Sequence, residues 1–91
     1  MLKPFYTKPF RKERKLMRKR GRDLDKLGEV IRMIINEQPL PPQYENHPLQ
    51  GKWKDAYDCH IQGDWVLVYK IDDVARTVTF HHTGSHADLF S

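Results

Sequence analysis

The chain has 91 residues and a formal net charge of +4, which limits it to one domain, residues 1–91, with a modest core. Its one cysteine, Cys59, excludes an internal disulfide, and no apolar run approaches the roughly 20 residues of a membrane span. With no signal-peptide apolar stretch behind the basic N-terminus, the expectation is a soluble cytoplasmic protein with no membrane partner.

The charge is uneven. Residues 1–37 hold 12 Lys/Arg against 5 Asp/Glu, whereas residues 38–91 hold 4 against 7. A local basic excess of this kind attracts nucleic acid or an acidic protein segment.

Leu2–Thr7 is short and contains Pro4, which allows an edge strand at best. Thr7 is placed to cap a following helix, KPFRKERKLMRKR, in which Pro9 falls in the first turn. Phe10 and Met17 form its narrow apolar stripe, Lys and Arg cover the rest, and Gly21 ends it. Asp23 is a second N-cap, and Leu24, Leu27, Val30, Ile31 and Ile34 follow at helical spacing. The two helices are expected to form a short antiparallel hairpin.

The stretch from Glu37 to Lys52 holds four of the six prolines, so it reads as a rigid connection to the next elements. From Trp53 the period becomes two. Trp53, Tyr57, Cys59 and Ile61 fall on one face, and Lys54, Ala56, Asp58 and His60 on the other. Gln62-Gly63 supplies a turn, and WVLVYKI (Trp65–Ile71) is a central strand by its apolar, β-branched content. DDVAR is a second turn, TVTFHHTG (Thr77–Gly84) a third strand, and Ser85 with Asp88 has the form of a capping box for a last helical turn. The sum is an α+β domain: two helices on a three-stranded meander, with an edge strand from the N-terminus.

Polar side chains able to do chemistry are His47, Asp58, His60, Asp64, His81, His82 and His86. Cys59-His60 and His81-His82 are zinc-type ligands, but adjacent strand residues point to opposite faces, and no Cys-x-x-Cys or His-Glu-x-x-His motif is present. Metal ligands are therefore not expected. Cys59 falls on the apolar face, which argues against a Cys–His nucleophile. General acid–base chemistry fits better, since an imidazole can donate or accept a proton near neutral pH. RNA cleavage through the ribose 2′-hydroxyl needs such a pair and no metal.

From His47 onward, HPLQGKWKDAYDCHIQGDWVLVYK and TGSHADLF resemble the YafQ branch of the RelE-like bacterial toxins, and the two-helix part matches in layout. The resemblance implies a RelE-like, microbial-ribonuclease-type domain, with helices on a small twisted, mostly antiparallel sheet. It also implies a toxin of a type II toxin–antitoxin system. Such toxins are endoribonucleases (mRNA interferases) that enter the ribosomal A site and cut translated mRNA without cofactor or metal, and a cognate antitoxin neutralises them. The implied partners are thus the antitoxin, the 70S ribosome and mRNA. By the same resemblance the catalytic set is His47, Asp58, His60, Asp64 and His86, and Phe90 helps hold the mRNA. The family often has Arg before the TG pair; this chain has His82, leaving phosphate to His82, Lys52, Lys54 or ribosomal contacts. Arg11, Arg14 and Arg18 of the basic helix are candidates for docking on ribosomal RNA. His86 is the expected acid and His60 or His47 the base. Two alternatives remain open: a toxin of the same fold acting on DNA gyrase, and a non-catalytic RNA-binding module.

Overall fold

The computed structural model describes residues 1–90. Five strands form one mixed sheet: β1 (Lys3–Tyr6), β2 (His47–Pro48), β3 (Tyr57–Gln62), β4 (Trp65–Asp72) and β5 (Thr77–Ser85), in the order β1-β5-β4-β3-β2. β1 runs parallel to β5, and the other pairings are antiparallel. The helices are α1 (Lys8–Lys19), α2 (Leu24–Ile35) and the short α3 (His86–Phe90). Among the described residues no helix is long and apolar enough to cross a membrane.

Both long helices start where the side chains can satisfy the free N–H groups of a first turn. Thr7 Oγ1 accepts from Phe10 N (3.1 Å), and Asp23 Oδ1 accepts from Asp25 N (3.0 Å). Gly21, at φ 81°, takes the left-handed conformation between the helices. Helix α1 buries only Phe10 and Met17, whereas α2 buries Leu27, Val30, Ile31 and Ile34. The core lies between these helices and one face of the sheet, where Cys59, Trp65, Leu67, Tyr69, Val78 and Phe80 meet them. Helix α1 rests mainly on β5 and touches α2 more lightly.

β4 lies at the centre of the sheet, and every residue from Trp65 to Tyr69 is buried. Trp65, Leu67 and Tyr69 face the helices, while Val66 and Val68 lie on the opposite face with Asp58. Trp65 Nε1 donates to Thr83 Oγ1 (2.8 Å), which in turn donates to the Val66 carbonyl (3.0 Å), so the buried indole N–H is satisfied.

Three expectations need correction. The proline-rich stretch is more than a connection, because two 3₁₀ turns, Pro42–Tyr44 and Gly51–Trp53, bracket the two-residue strand β2 on the edge of the sheet. Trp53 does not extend the apolar face of β3. The second 3₁₀ turn precedes the strand and carries its ring against His82, edge to face at 5.0 Å. The first hairpin turn sits one residue later than expected, at Gly63-Asp64, with Gly63 at φ 60° and Gln62 paired to Trp65. The second turn is closed by Asp72, whose Oδ1 accepts from Val74 N and Ala75 N (both 3.0 Å).

Replacing Thr83 by Val keeps the shape but strips Trp65 Nε1 of its partner. The expected cost is about 1–3 kcal/mol in urea unfolding, and no loss would contradict this account of the indole.

Candidate active site

The β2–β3 pairing sets His47 directly opposite Asp58. Their approach, His47 Nε2 to Asp58 Oδ1, is 2.8 Å, with Asp58 1 % exposed and His47 about half exposed. On its other side, His47 Nδ1 donates to the Glu45 carbonyl (2.8 Å). A carbonyl can only accept, so Nδ1 carries a proton. Two lone pairs cannot meet at 2.8 Å, so either His47 Nε2 or Asp58 holds a second proton. The approach lacks the alignment of a hydrogen bond, and Asp58 Oδ1 receives no hydrogen bond from the described residues.

Burial pushes the Asp58 carboxyl above its ordinary range, while the charges of His47, His60 and His86 pull it back. All three imidazoles therefore act on one buried carboxyl. His60 lies two residues along β3, as the strand period requires. Its Nδ1 is 3.4 Å from the Gly63 carbonyl and 3.6 Å from Glu45 Oε2, and its ring centroid is 6.5 Å from that of His47. Those long contacts leave the His60 ring loosely held.

His86 arrives from the chain end. Its backbone N donates to the Asp64 carbonyl (2.8 Å), which ties the start of α3 to the β3–β4 turn. The expected capping box is present: Asp88 N donates to Ser85 Oγ (3.0 Å), and Ser85 N to Asp88 Oδ2 (3.3 Å). Phe90 returns to lie 4.8 Å from the His86 ring, centroid to centroid. The Asp64 carboxylate pairs with Arg22 (2.8 Å), so Asp64 holds the tail through its carbonyl and the helix junction through its side chain.

The remaining expected residues stand apart from this cluster. Lys52 Nζ lies 5.9 Å from the centre of the Trp53 ring, and Lys54 is exposed just after the second 3₁₀ turn. Arg11, Arg14 and Arg18 are exposed on α1. His82 is bound to Glu13 rather than open to solvent on all sides. Cys59 is buried and its thiol is pushed up to about 12, chiefly by burial, so it is an inert core residue.

Glu45, Arg20 and Arg22 escaped the sequence. Glu45, at φ 45° in the left-handed region, offers its carbonyl to His47 and its carboxylate to His60. The signal was its position two residues before His47 in a stretch dense in prolines. Arg20 pairs with Asp88 (2.7 Å) as Arg22 pairs with Asp64, so the basic segment also braces the site's rim. Both are surface pairs, worth little stability but enough to bias a short tail.

One imidazole against a buried carboxyl, with the charges of two more acting on it, supplies groups able to donate and accept protons. Among the described residues no group of three or more His, Cys, Asp or Glu side chains is arranged to hold a metal ion.

Because burial raises the Asp58 carboxyl, the native state holds its proton more readily than the unfolded chain does, and the stability this gives is present in acid and lost as pH rises through the folded-state value. Asp58→Asn should therefore be no less stable than wild type at pH 7 in urea unfolding, and should lose any advantage below the ordinary Asp range. A large loss of stability confined to neutral pH would show instead that the contact with His47 outweighs the burial cost.

Known proteins resemble this chain over nearly its whole length. A family model described as "Bacterial toxin of type II toxin-antitoxin system, YafQ" matches residues 2–91. The mRNA interferase toxin YafQ of Escherichia coli K12 is 43 % identical over 86 residues, covering 93 % of this chain and 91 % of that protein. The toxin chain in a crystal structure of the E. coli DinJ-YafQ complex matches with a TM-score of 0.92 at 40 % identity, over 100 % of both chains. A crystal structure of a metal-bound toxin from Helicobacter pylori matches with a TM-score of 0.92 at 41 % identity, over 99 % of this chain and 100 % of that one. The chain belongs to the YafQ family of bacterial toxins of type II toxin–antitoxin systems.

Proposed function

We propose that the chain is a ribosome-dependent endoribonuclease, a RelE-like toxin that cuts translated mRNA in the ribosomal A site and is neutralised by a cognate antitoxin. The observation that carries this reading is the approach of His47 to the buried carboxyl of Asp58, on which the charges of His60 and His86 also act. The E. coli relative is named an mRNA interferase and is seen with DinJ, which supports both the reaction and the kind of partner. The site of action is the cytoplasm, where ribosomes and mRNA meet.

In the proposed reaction a base removes the ribose 2′-hydroxyl proton and the 2′ oxygen attacks the adjacent phosphorus. The bond from phosphorus to the 5′ oxygen breaks, and an acid protonates that leaving oxygen. The products are a 2′,3′-cyclic phosphate and a 5′-hydroxyl, and no cofactor enters. His86 is the acid, since its place at the mouth of a short helix leaves the ring exposed. His47 or His60 is the base, and Asp58 supports the charge that either imidazole gains. Asp64 fixes the tail that carries His86, and Phe90 offers an aromatic face to the mRNA. Lys52, Lys54, a protonated His82 or ribosomal contacts supply positive charge for phosphates. Arg11, Arg14 and Arg18 dock on ribosomal RNA, a contact that weakens with salt.

Primer extension on mRNA from a programmed translation reaction tests the reading. Wild type should give in-frame cuts, unaffected by EDTA. His86→Ala should lower cleavage at least a hundredfold, the contribution of a positioned proton donor being about 10²–10⁴, and should still bind the antitoxin. Cleavage by His86→Ala at the wild-type rate would overturn the acid assignment. Loss in EDTA restored by zinc would assign the reaction to a metal, and intact mRNA with DNA damage would favour an action on gyrase.

A further inference from the structure

We propose that Glu13 is a positioning residue that fixes the ring of His82, so that His82 Nε2 faces the ribose–phosphate backbone of RNA bound at the site; the RNA-facing part rests on the ribonuclease reading above.

The argument begins at an incomplete strand pairing. β1 pairs with β5 only as far as Tyr6 opposite Phe80, which leaves the edge of β5 beyond Phe80 without a strand. The start of α1 takes its place. Thr7 N donates to the Phe80 carbonyl (3.2 Å), Thr7 Oγ1 to the His81 carbonyl (2.9 Å), and Glu13 Oε1 accepts from Thr83 N (3.3 Å). Glu13 is thus held beside β5 by a backbone hydrogen bond and is not a free surface acid.

From that position both Glu13 oxygens reach His82 Nδ1, at 3.0 and 3.1 Å. The two side chains are about three-quarters buried. A carboxylate can only accept, so Nδ1 carries a proton and Nε2 is the ring nitrogen left for another partner. The ring is also confined sideways by the edge-to-face contact with Trp53, at 5.0 Å and 87°. The groups facing it are Glu13 from α1, Trp53 from the second 3₁₀ turn and its neighbour His81 on β5.

The sheet register then relates His82 to the site. Val68 of β4 pairs with Asp58 on one side and with His82 on the other. Directly paired residues share a face, so Asp58 and His82 lie on the same face, two strand spacings or roughly 10 Å apart. A strand of RNA whose scissile phosphate lies at the imidazole cluster would run across that face to His82.

Two readouts on the full-length protein test the proposal. The first is the tautomer of His82 from ring ¹⁵N shifts, measured without RNA. The proton should sit on Nδ1 in wild type and in Glu13→Gln, whose amide oxygen still accepts, and should move toward Nε2 in Glu13→Ala. A wild-type His82 with its proton on Nε2, or no change in Glu13→Ala, overturns the positioning role. The second is single-turnover mRNA cleavage on ribosomes. Glu13→Ala and His82→Ala should each slow it by about tenfold, or ~1.4 kcal/mol, the double variant should be no slower than either, and Glu13→Gln should keep most of the rate. Additive losses, or a loss in Glu13→Ala that follows only a lowered melting temperature, would reduce Glu13 to a structural brace. If wild type cuts no mRNA, the ribonuclease reading fails and the RNA-facing role with it; the tautomer measurement still decides whether Glu13 positions the ring.

Discussion

The contact between His47 and Asp58 is the constraint on which the rest of the site depends. A carboxyl that is 1 % exposed is costly in an apolar setting without a polar partner. The partner comes from a two-residue strand, β2, whose pairing to β3 places His47 opposite Asp58. The prolines around it have a physical use here. Pro48 has no N–H to donate, which suits an edge strand, and Pro42 fits the first turn of a 3₁₀ segment. The loop can therefore deliver an imidazole to the sheet edge without extending the sheet. Tyr69 reinforces it from below, its hydroxyl donating to Asn46 Oδ1 at 2.7 Å.

The basic N-terminal segment then serves more than one purpose. Its apolar stripe, Phe10 and Met17, joins the core. Thr7 and Glu13 satisfy the part of β5 that lacks a strand, Arg20 and Arg22 brace α3 and the β3–β4 turn, and the exposed cations remain for an anionic partner. The charge excess that composition reveals is thus divided between the site's rim and the open face of α1. Only the second share is available for ribosomal RNA or an acidic antitoxin segment.

Much of this could be read in the sequence where the signal is local. Thr7 and Asp23 as caps, the apolar positions of α2, the central strand from Trp65 and the capping box at Ser85 and Asp88 depend on neighbours within a turn or a strand. Asp58 and His60 on one face, with Cys59 on the other, followed from the strand period alone. The features that escaped depend on distant partners. Proline density masked β2, which exists only because β3 offers it an edge. Gly51, at φ 70°, turns the chain before β3 and sends Trp53 to His82 instead of the apolar face. Glu13 and His82 are 69 residues apart, and no pattern within α1 distinguishes Glu13 from a solvated acid. Asp64 shows the same limit: its place beside Trp65 was plain, but its pairing with Arg22 was not.

The central claim is that proton transfer by imidazoles around Asp58 cuts RNA through its own 2′-hydroxyl, and the chemistry of the new ends tests this most directly. End-group analysis of mRNA cut by the wild-type protein on ribosomes should find a 2′,3′-cyclic phosphate, or the 3′-phosphate it opens to, on the upstream fragment and a 5′-hydroxyl on the downstream one. A 3′-hydroxyl with a 5′-phosphate would mean that water, not the ribose, attacks phosphorus, and would contradict the account.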